Sequence, residues 1–210
     1  MDEFFHPVVR KLFRANIAGH FMWYGDFKKV VCRRWVVYIF FFIGLALSAQ
    51  QEKFQKISSG NFENLYRLND SLYRSEQPSK KGFKDLEALD VKTVINLRRW
   101  DKNRRKADGT ELQLVNLPLK AGKLTEDQII MALKAIQVAE SPVLIHCWHG
   151  SDRTGAVIAA YRIIFEDWTK EKAIEELRYG YFGYHEKMYP NIVTLLQNLN
   201  VGHIKEDLGL

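Results

Sequence analysis

Residues 143–155 read Val143-Leu144-Ile145-His146-Cys147-Trp148-His149-Gly150-Ser151-Asp152-Arg153-Thr154-Gly155. The apolar run after Pro142 predicts a short buried strand that ends at Cys147. From Arg153 to Glu166 the pattern is helical, with Ala156, Ala159 and Ala160 as close-packing positions. A tight loop between a strand and a helix turns successive backbone N–H groups into one concavity, and the helix N-terminus adds positive potential. A phosphate dianion suits such a place. The planar guanidinium of Arg153 is able to hold two phosphate oxygens by parallel hydrogen bonds, and Gly150 permits close backbone approach. The same field favours the thiolate of Cys147, which is the nucleophilic form.

Outward from this stretch, strands alternate with helices. Residues 65–68 and 71–74 read as short strands around an Asn69-Asp70 turn. Residues 79–89 predict a helix, the β-branched run 93–97 a buried strand, 101–109 a charged loop, 112–117 another strand and 118–124 a connector. Thr125-Glu126-Asp127-Gln128 matches a capping box, followed by Ile129, Ile130, Leu133 and Ile136 at helical spacing. Residues 170–179 and 188–199 predict two further helices. The expected fold is α/β, with a central, mainly parallel sheet of four to five strands flanked by helices. The phosphate-binding loop lies between a strand and a helix. No internal repeat or low-complexity tract is present.

The chain has 210 residues, 47% hydrophobic and 27% charged, which suits one core-forming domain plus a short extra segment. Its formal charge is +6, but from Gln50 onward 24 Lys and Arg face 22 Asp and Glu. Most of the excess therefore lies in the first 49 residues. There Lys28, Lys29, Arg33 and Arg34 precede the 13 apolar residues 35–47, and Ser48-Ala49 precede a polar run. That is a signal-peptide layout, too short for an ordinary membrane span of about 20 residues. A start at Met22 gives a signal of ordinary length, cleaved after Ala49. The expected organisation is an N-terminal extension with a signal peptide or membrane anchor over 1–49, an irregular lead-in over 50–62 and a catalytic domain over 63–205. The expected location is exported, periplasmic or secreted. The alternative is anchoring, with membrane association through residues 35–49. Removal of the signal takes Cys32 with it and leaves Cys147 without a disulfide partner.

The residues His146-Cys147-Trp148-His149-Gly150-Ser151-Asp152-Arg153-Thr154-Gly155 match every fixed position of the HCxxGxxR[ST]G signature, and here the chain resembles the protein tyrosine and dual-specificity phosphatase superfamily. Residues 72–78, Leu-Tyr-Arg-Ser-Glu-Gln-Pro, and 94–98, Val-Ile-Asn-Leu-Arg, look like the opening of its compact bacterial and atypical dual-specificity members. The resemblance covers about residues 63–200. It implies hydrolysis of phosphate monoesters, phosphotyrosine first and phosphoserine or phosphothreonine with it, through a phosphocysteine intermediate. Cys147 is then the nucleophile and Arg153 the clamp. Trp148, His149, Gly150, Ser151 and Thr154 form the substrate-binding set, with Trp148 and His149 alternatively simple rim residues and Ser151 contributing its amide, and Thr154 is placed to hydrogen-bond the leaving sulfur. His146 reads as a structural partner of the thiol rather than a base.

In many dual-specificity phosphatases the general acid is an Asp on the connector after the strand matching 112–117. Here Pro118-Leu119-Lys120-Ala121-Gly122-Lys123-Leu124 holds no carboxylate. Asp152 is the preferred replacement, because myotubularin-like and Sac-like phosphoinositide phosphatases carry an Asp directly before the loop Arg. Its competing reading is a cap on the following helix. Glu126 and Asp127 are the second option, and Asp101 and Asp108 remote ones. The partner is a phosphorylated protein or a small phosphorylated substrate, and no nucleic acid. Arg98, Arg99, Lys102, Arg104, Arg105 and Lys106 concentrate charge on one loop. With Asp152 they keep open an inositol phosphate or phosphoinositide phosphatase, and the absent connector acid keeps open an inactive phosphate-binding module. Tyr181, Phe182, Tyr184 and Tyr189 either wall the site or simply pack. No cofactor is expected, and no metal, since His146, Cys147 and His149 are too close in one loop to present three ligands to one ion.

Overall fold

A computed structural model describes residues 54–100 and 103–210, within a compact unit that spans Lys53–Leu210. The expectations for Cys32, the Met22 start, the 35–49 segment, Asp101 and Lys102 lie outside the described residues. Among the described residues no helix is long and apolar enough to cross a membrane.

The α/β architecture and its mainly parallel sheet are as the sequence predicts. Six strands, β1 (Gln55–Lys56), β2 (Tyr66–Asn69), β3 (Leu72–Ser75), β4 (Thr93–Asn96), β5 (Gln113–Asn116) and β6 (Val143–His146), form one sheet in the order β1-β2-β3-β6-β4-β5. Pairing is parallel from β3 through β6 and β4 to β5, and antiparallel for β1 with β2 and β2 with β3. The strand beyond the expected four to five is β1. It lies in the stretch 50–62, so that lead-in is not wholly irregular. Gln55 and Lys56 are exposed, and their pairing is carried by the backbone. A bulge between Arg67 and Asn69 interrupts the β2–β3 register.

Every residue of β3, β4 and β6 is buried, as central strands covered on both faces require. Alternation then sorts their side chains. Leu144, Val94 and Tyr73 join one cluster with Phe83 and Leu86 of helix α1 (Lys80–Ala88). Val143, Ile145, Ile95 and Leu72 face the larger cluster. That second face is covered by α2 (Glu126–Val138), α3 (Asp152–Phe165), α4 (Lys170–Arg178), α5 (Asn191–Asn198) and α6 (Val201–Asp207). Each large apolar side chain fully buried there stabilises the fold by about 1.5–3 kcal/mol.

The helix boundaries follow their caps. Ser79 accepts from Gly82 N at the start of α1, and Thr169 does the same for α4. The capping box forms at α2: Gln128 N donates to Thr125 Oγ1 at 3.4 Å and Thr125 N donates to Gln128 Oε1 at 3.3 Å. Helix α5 starts three residues later than expected, after Pro190, whose fixed φ suits a helix start. The sequence pattern does not predict helix α6. Its signals are short: Asn200 caps it by accepting from His203 N, and Ile204 and Leu208 are buried one turn apart.

The in-register parallel strands bring Ser75, His146 and Asn96 into one row at their carboxyl ends. Since β6 is the middle strand of that row, the residues after His146 emerge at the centre of the sheet's C-terminal edge, where ligands of open α/β sheets bind.

Candidate active site

Residues 147–151 turn from β6 into α3, and three carbonyls of the turn point outward to fixed donors. Gln77 N donates to Trp148 O at 3.0 Å. Asn64 Nδ2 donates to His149 O at 2.8 Å. Arg74 Nη2 donates to Gly150 O at 2.7 Å. In a trans peptide the N–H of the next residue points opposite to the carbonyl. The amides of His149, Gly150 and Ser151 therefore face away from these donors, into the concavity of the turn. Successive inward N–H groups at a helix N-terminus form an anion cradle. Cys147, 1% exposed, sits at its base.

Each donor is itself held. Glu76 carboxylate oxygens accept from Glu63 N at 2.7 Å and Asn64 N at 3.0 Å, which fixes the bend that carries Asn64. Arg74 is 1% exposed and lies 3.9 Å over the ring of Phe182. Phe182 in turn packs edge-on against Phe54 and Tyr66. Burial pushes the Arg74 guanidinium down to about 10, against the pull of Glu176 and Cys147, which favour its charge. It remains a cation at neutral pH and contributes positive potential behind the loop.

Gly150 is obligatory for two reasons. Its φ is +75°, and a Cβ there would stand 2.6 Å from the backbone C and O of Ser75. The loop is thus pressed onto the end of β3.

His146 is buried and occupied on both ring nitrogens. Nε2 lies 2.7 Å from Asn103 Nδ2, and Nδ1 lies 3.0 Å from Cys147 O. Asn103 Oδ1 accepts from Gln77 Nε2 at 2.8 Å, so its amide nitrogen faces the imidazole. That assigns the ring proton to Nδ1, which donates to the Cys147 carbonyl. His146 is therefore a structural partner, as its position in the motif suggests. Asn103, with φ +62° and 2% exposure, carries no signal of its own in the sequence, where its loop is marked only by its charge.

The remaining motif residues divide. Arg153 is half-buried and donates to Leu97 O at 3.4 Å through Nη1. Trp148 is 52% exposed with the Arg98 guanidinium 4.3 Å over its ring, so rim and basic loop meet there. Arg98 Nη1 also donates to Gln77 Oε1 at 2.5 Å. Ser151 is buried, with Oγ 3.4 Å from His149 O. Thr154 Oγ1 is buried without a hydrogen-bond partner among the described residues, so the contact to sulfur expected of it is not formed here.

Asp152 does not cap α3. Ser151 is the capping residue, without a side-chain cap bond, and Asp152 reaches instead to His185. Its Oδ1 accepts from His185 N at 2.9 Å, and His185 Nδ1 stands 3.1 Å from both carboxylate oxygens. The sequence offered no signal for His185, which follows a 3-10 turn (Gly180–Phe182) ended by Gly183 in the left-handed region. Glu126 serves packing: its Oε2 accepts from Asn200 N at 2.8 Å, docking α6 on α2. Asp108 is exposed. Of the four aromatics offered as walls, Phe182 is core, Tyr184 donates to Tyr189 O at 2.6 Å and has its hydroxyl pushed up to about 12, first by burial, and Tyr181 is exposed.

A family model described as "Tyrosine phosphatase family" matches residues 57–207. The dual specificity protein phosphatase TpbA of Pseudomonas aeruginosa is 37% identical over 127 residues, 60% of this chain and 58% of that protein. An inositol diphosphatase of Oryza sativa subsp. japonica is 30% identical over 132 residues, 55% of this chain and 61% of that protein. The chain thus spans less than two thirds of the length of these curated relatives. Among solved structures, P. aeruginosa TpbA in complex with pTyr superposes with a TM-score of 0.68 at 29% identity, covering 76% of this chain and 98% of that one.

The loop geometry predicts a graded response to two glycine substitutions. Gly109→Ala, at φ +81° with open space around it, should lose only the conformational cost of about 1–2 kcal/mol. Gly150→Ala adds a backbone clash and should lose clearly more, read as the difference in urea unfolding free energy.

Proposed function

This chain belongs to the tyrosine phosphatase family, and on that premise we propose that it is a phosphatase that hydrolyses phosphate monoesters at Cys147. The observation that carries the reading is the outward fixing of the Trp148, His149 and Gly150 carbonyls, which leaves a cradle of amides above a buried cysteine. The Cys147 thiolate attacks phosphorus in line with the ester oxygen. An S–P bond forms, the P–O bond breaks, and the leaving oxygen takes a proton. Water then attacks the phosphocysteine, the P–S bond breaks, inorganic phosphate departs and the thiolate returns. Arg153 and the loop amides stabilise charge on the equatorial oxygens in both steps. Thr154 Oγ1, buried beside the loop with its hydrogen-bonding capacity unused, is suited to donate to the sulfur as it leaves.

Asp152 is the proposed proton donor to the leaving oxygen and acceptor from the attacking water. Three facts support it over the other carboxylates. It directly precedes Arg153, it is not spent on the helix cap, and the connector 118–124 holds no acid. Glu126 is engaged in docking α6.

Phosphotyrosine, with phosphoserine and phosphothreonine, is the proposed substrate class, in line with a structural relative recorded in complex with pTyr. The second reading, an inositol phosphate or phosphoinositide, rests on Arg98 stacked on the rim residue Trp148, with Arg99, Arg104 and Arg105 exposed nearby in sequence. It accords with the inositol diphosphatase among the relatives. We further propose that residues 22–49 act as an export signal.

Four measurements check these proposals. The protein should hydrolyse an activated aryl phosphate, and Cys147→Ser should abolish turnover. Asp152→Ala should slow an alkyl phosphate by about 100-fold or more while barely affecting the activated aryl ester; equal slowing of both removes the acid role. In a panel of phosphopeptides and inositol phosphates, Arg98→Ala should raise KM for the inositol phosphates alone if the second reading holds. For export, N-terminal sequencing of the mature protein should begin after Ala49, and an intact 22–49 segment excludes cleavage.

A further inference from the structure

The carboxylate of Asp152 is nearly enclosed, with a side-chain exposure of 10%, yet among the described residues no Lys or Arg pairs with it. Its partners are the backbone N–H and the imidazole of His185. A buried carboxylate without a strong cation is costly, and a cation at its open side relieves that cost. A second imidazole stands beside the pair. The ring of His149 lies 5.6 Å from that of His185, is exposed, and makes no hydrogen bond among the described residues. One ligand atom from each of His149, Asp152 and His185 lies within 4.8 Å of the other two.

We propose that His149, Asp152 and His185 form a binding site for a divalent transition-metal ion of the zinc class at the mouth of the phosphate loop. The donor set is two imidazole nitrogens and one carboxylate oxygen, which suits Zn2+ and its neighbours rather than Mg2+ or Ca2+. Bonds of about 2.0–2.1 Å in tetrahedral geometry require donor atoms about 3.3 Å apart. The Asp152–His185 edge, at 3.1 Å, is already close to that spacing. His149 closes the remaining distance by rotating its exposed side chain, because its carbonyl is pinned by Asn64 and the backbone stays in place. The fourth position faces solvent, since both imidazoles are exposed.

The site joins two segments. His149 belongs to the phosphate loop, Asp152 to the first turn of α3 that follows it, and His185 to the stretch after α4. Gly183 already brings that stretch against the loop, where a Cβ would lie 3.3 Å from Ser151 Oγ. A bound ion ties the two together and adds positive charge beside the anion cradle. It also takes the carboxylate assigned to proton transfer, so metal and turnover compete for Asp152.

The test uses the full chain with Cys32→Ser and Cys147→Ser, so that no thiol contributes ligands. Zn2+ is titrated calorimetrically, and Co2+ is added as a spectroscopic probe of nitrogen ligation. The expected result is saturable Zn2+ binding with Co2+ ligand-field bands. Affinity should weaken by about tenfold or more in His149→Ala and in His185→Ala. His203→Ala, at an exposed histidine 3.5 Å from Glu126, should bind as before. His185→Gln, which keeps a polar side chain of similar size, guards against misfolding and should lose affinity with circular dichroism unchanged. Absence of Zn2+ binding overturns the proposal, as does an affinity in the His149 and His185 variants unchanged from that of the parent protein. Either outcome leaves the hydrolytic reading standing, because binding is read in a chain without its nucleophile. Loss of hydrolysis by the wild-type protein would leave the metal site standing.

Discussion

The guanidinium of Arg74 is enclosed by protein and donates to the carbonyl of Gly150, and the shape of the loop around Cys147 depends on that bond. Enclosing a cation costs several kcal/mol unless charge and hydrogen bonds answer it. Here the answer is distributed. The Phe182 ring lies against the guanidinium face, Glu176 lies within electrostatic reach, and the Gly150 carbonyl accepts from Nη2. Glu176 is fixed by Arg162, with contacts at 3.2 Å from both Nε and Nη2, and Arg162 also holds Glu166 at 2.7 Å. The pair of glutamates more than offsets the burial of Arg162 and raises its affinity for the proton. A charge network in the interior thus ends at one backbone carbonyl of the phosphate loop, and that carbonyl sets which way the next amide points.

Cys147 takes its setting from the sheet as much as from the loop. Strand β6 has partners on both sides in strict register, so His146 is fixed between Ser75 and Asn96. The imidazole proton on Nδ1 holds the Cys147 carbonyl, and Asn103 holds the far side of the ring. This line of contacts runs on through Gln77 to Arg98 and the exposed Trp148. The basic loop is therefore tethered to the base of the site, not merely draped near it, and any substrate that engages Arg98 does so against a braced surface.

What could be read in the sequence is what is local. The strand at 143–146, the helix after it, the capping box at Thr125 and the spacing of Cys147 from Arg153 all depend on neighbours within a few residues. Their side-chain chemistry already contains the answer. The parts that escaped reading depend on tertiary contact. Strand β1 has exposed side chains and is held by its backbone, which leaves no hydrophobic alternation to detect. Helix α6 is seven residues long, too short for a clear period. Arg74 in sequence is an ordinary strand arginine; only the fold buries it on Phe182, over a hundred positions away. Asn64, Asn103 and His185 reach the site from separate segments, and nothing in their immediate sequence marks them. The same holds for the cluster of His149, Asp152 and His185: the sequence places His149 and Asp152 near each other, and only the fold brings His185 to them.

The donors to the three outward carbonyls, Asn64, Arg74 and Gln77, all come from a stretch that precedes the loop by more than 70 residues. That separation has a kinetic meaning. Closing a loop of that length costs chain entropy before its contacts reward it, which slows their formation. Helix α3 has local signals of its own, but the amide cradle before it does not, because its peptide orientations are imposed by β3 and its flanks. Anion affinity is then a property of the completed chain and not of its C-terminal half. A partly folded intermediate would carry the whole ten-residue motif and still have no site.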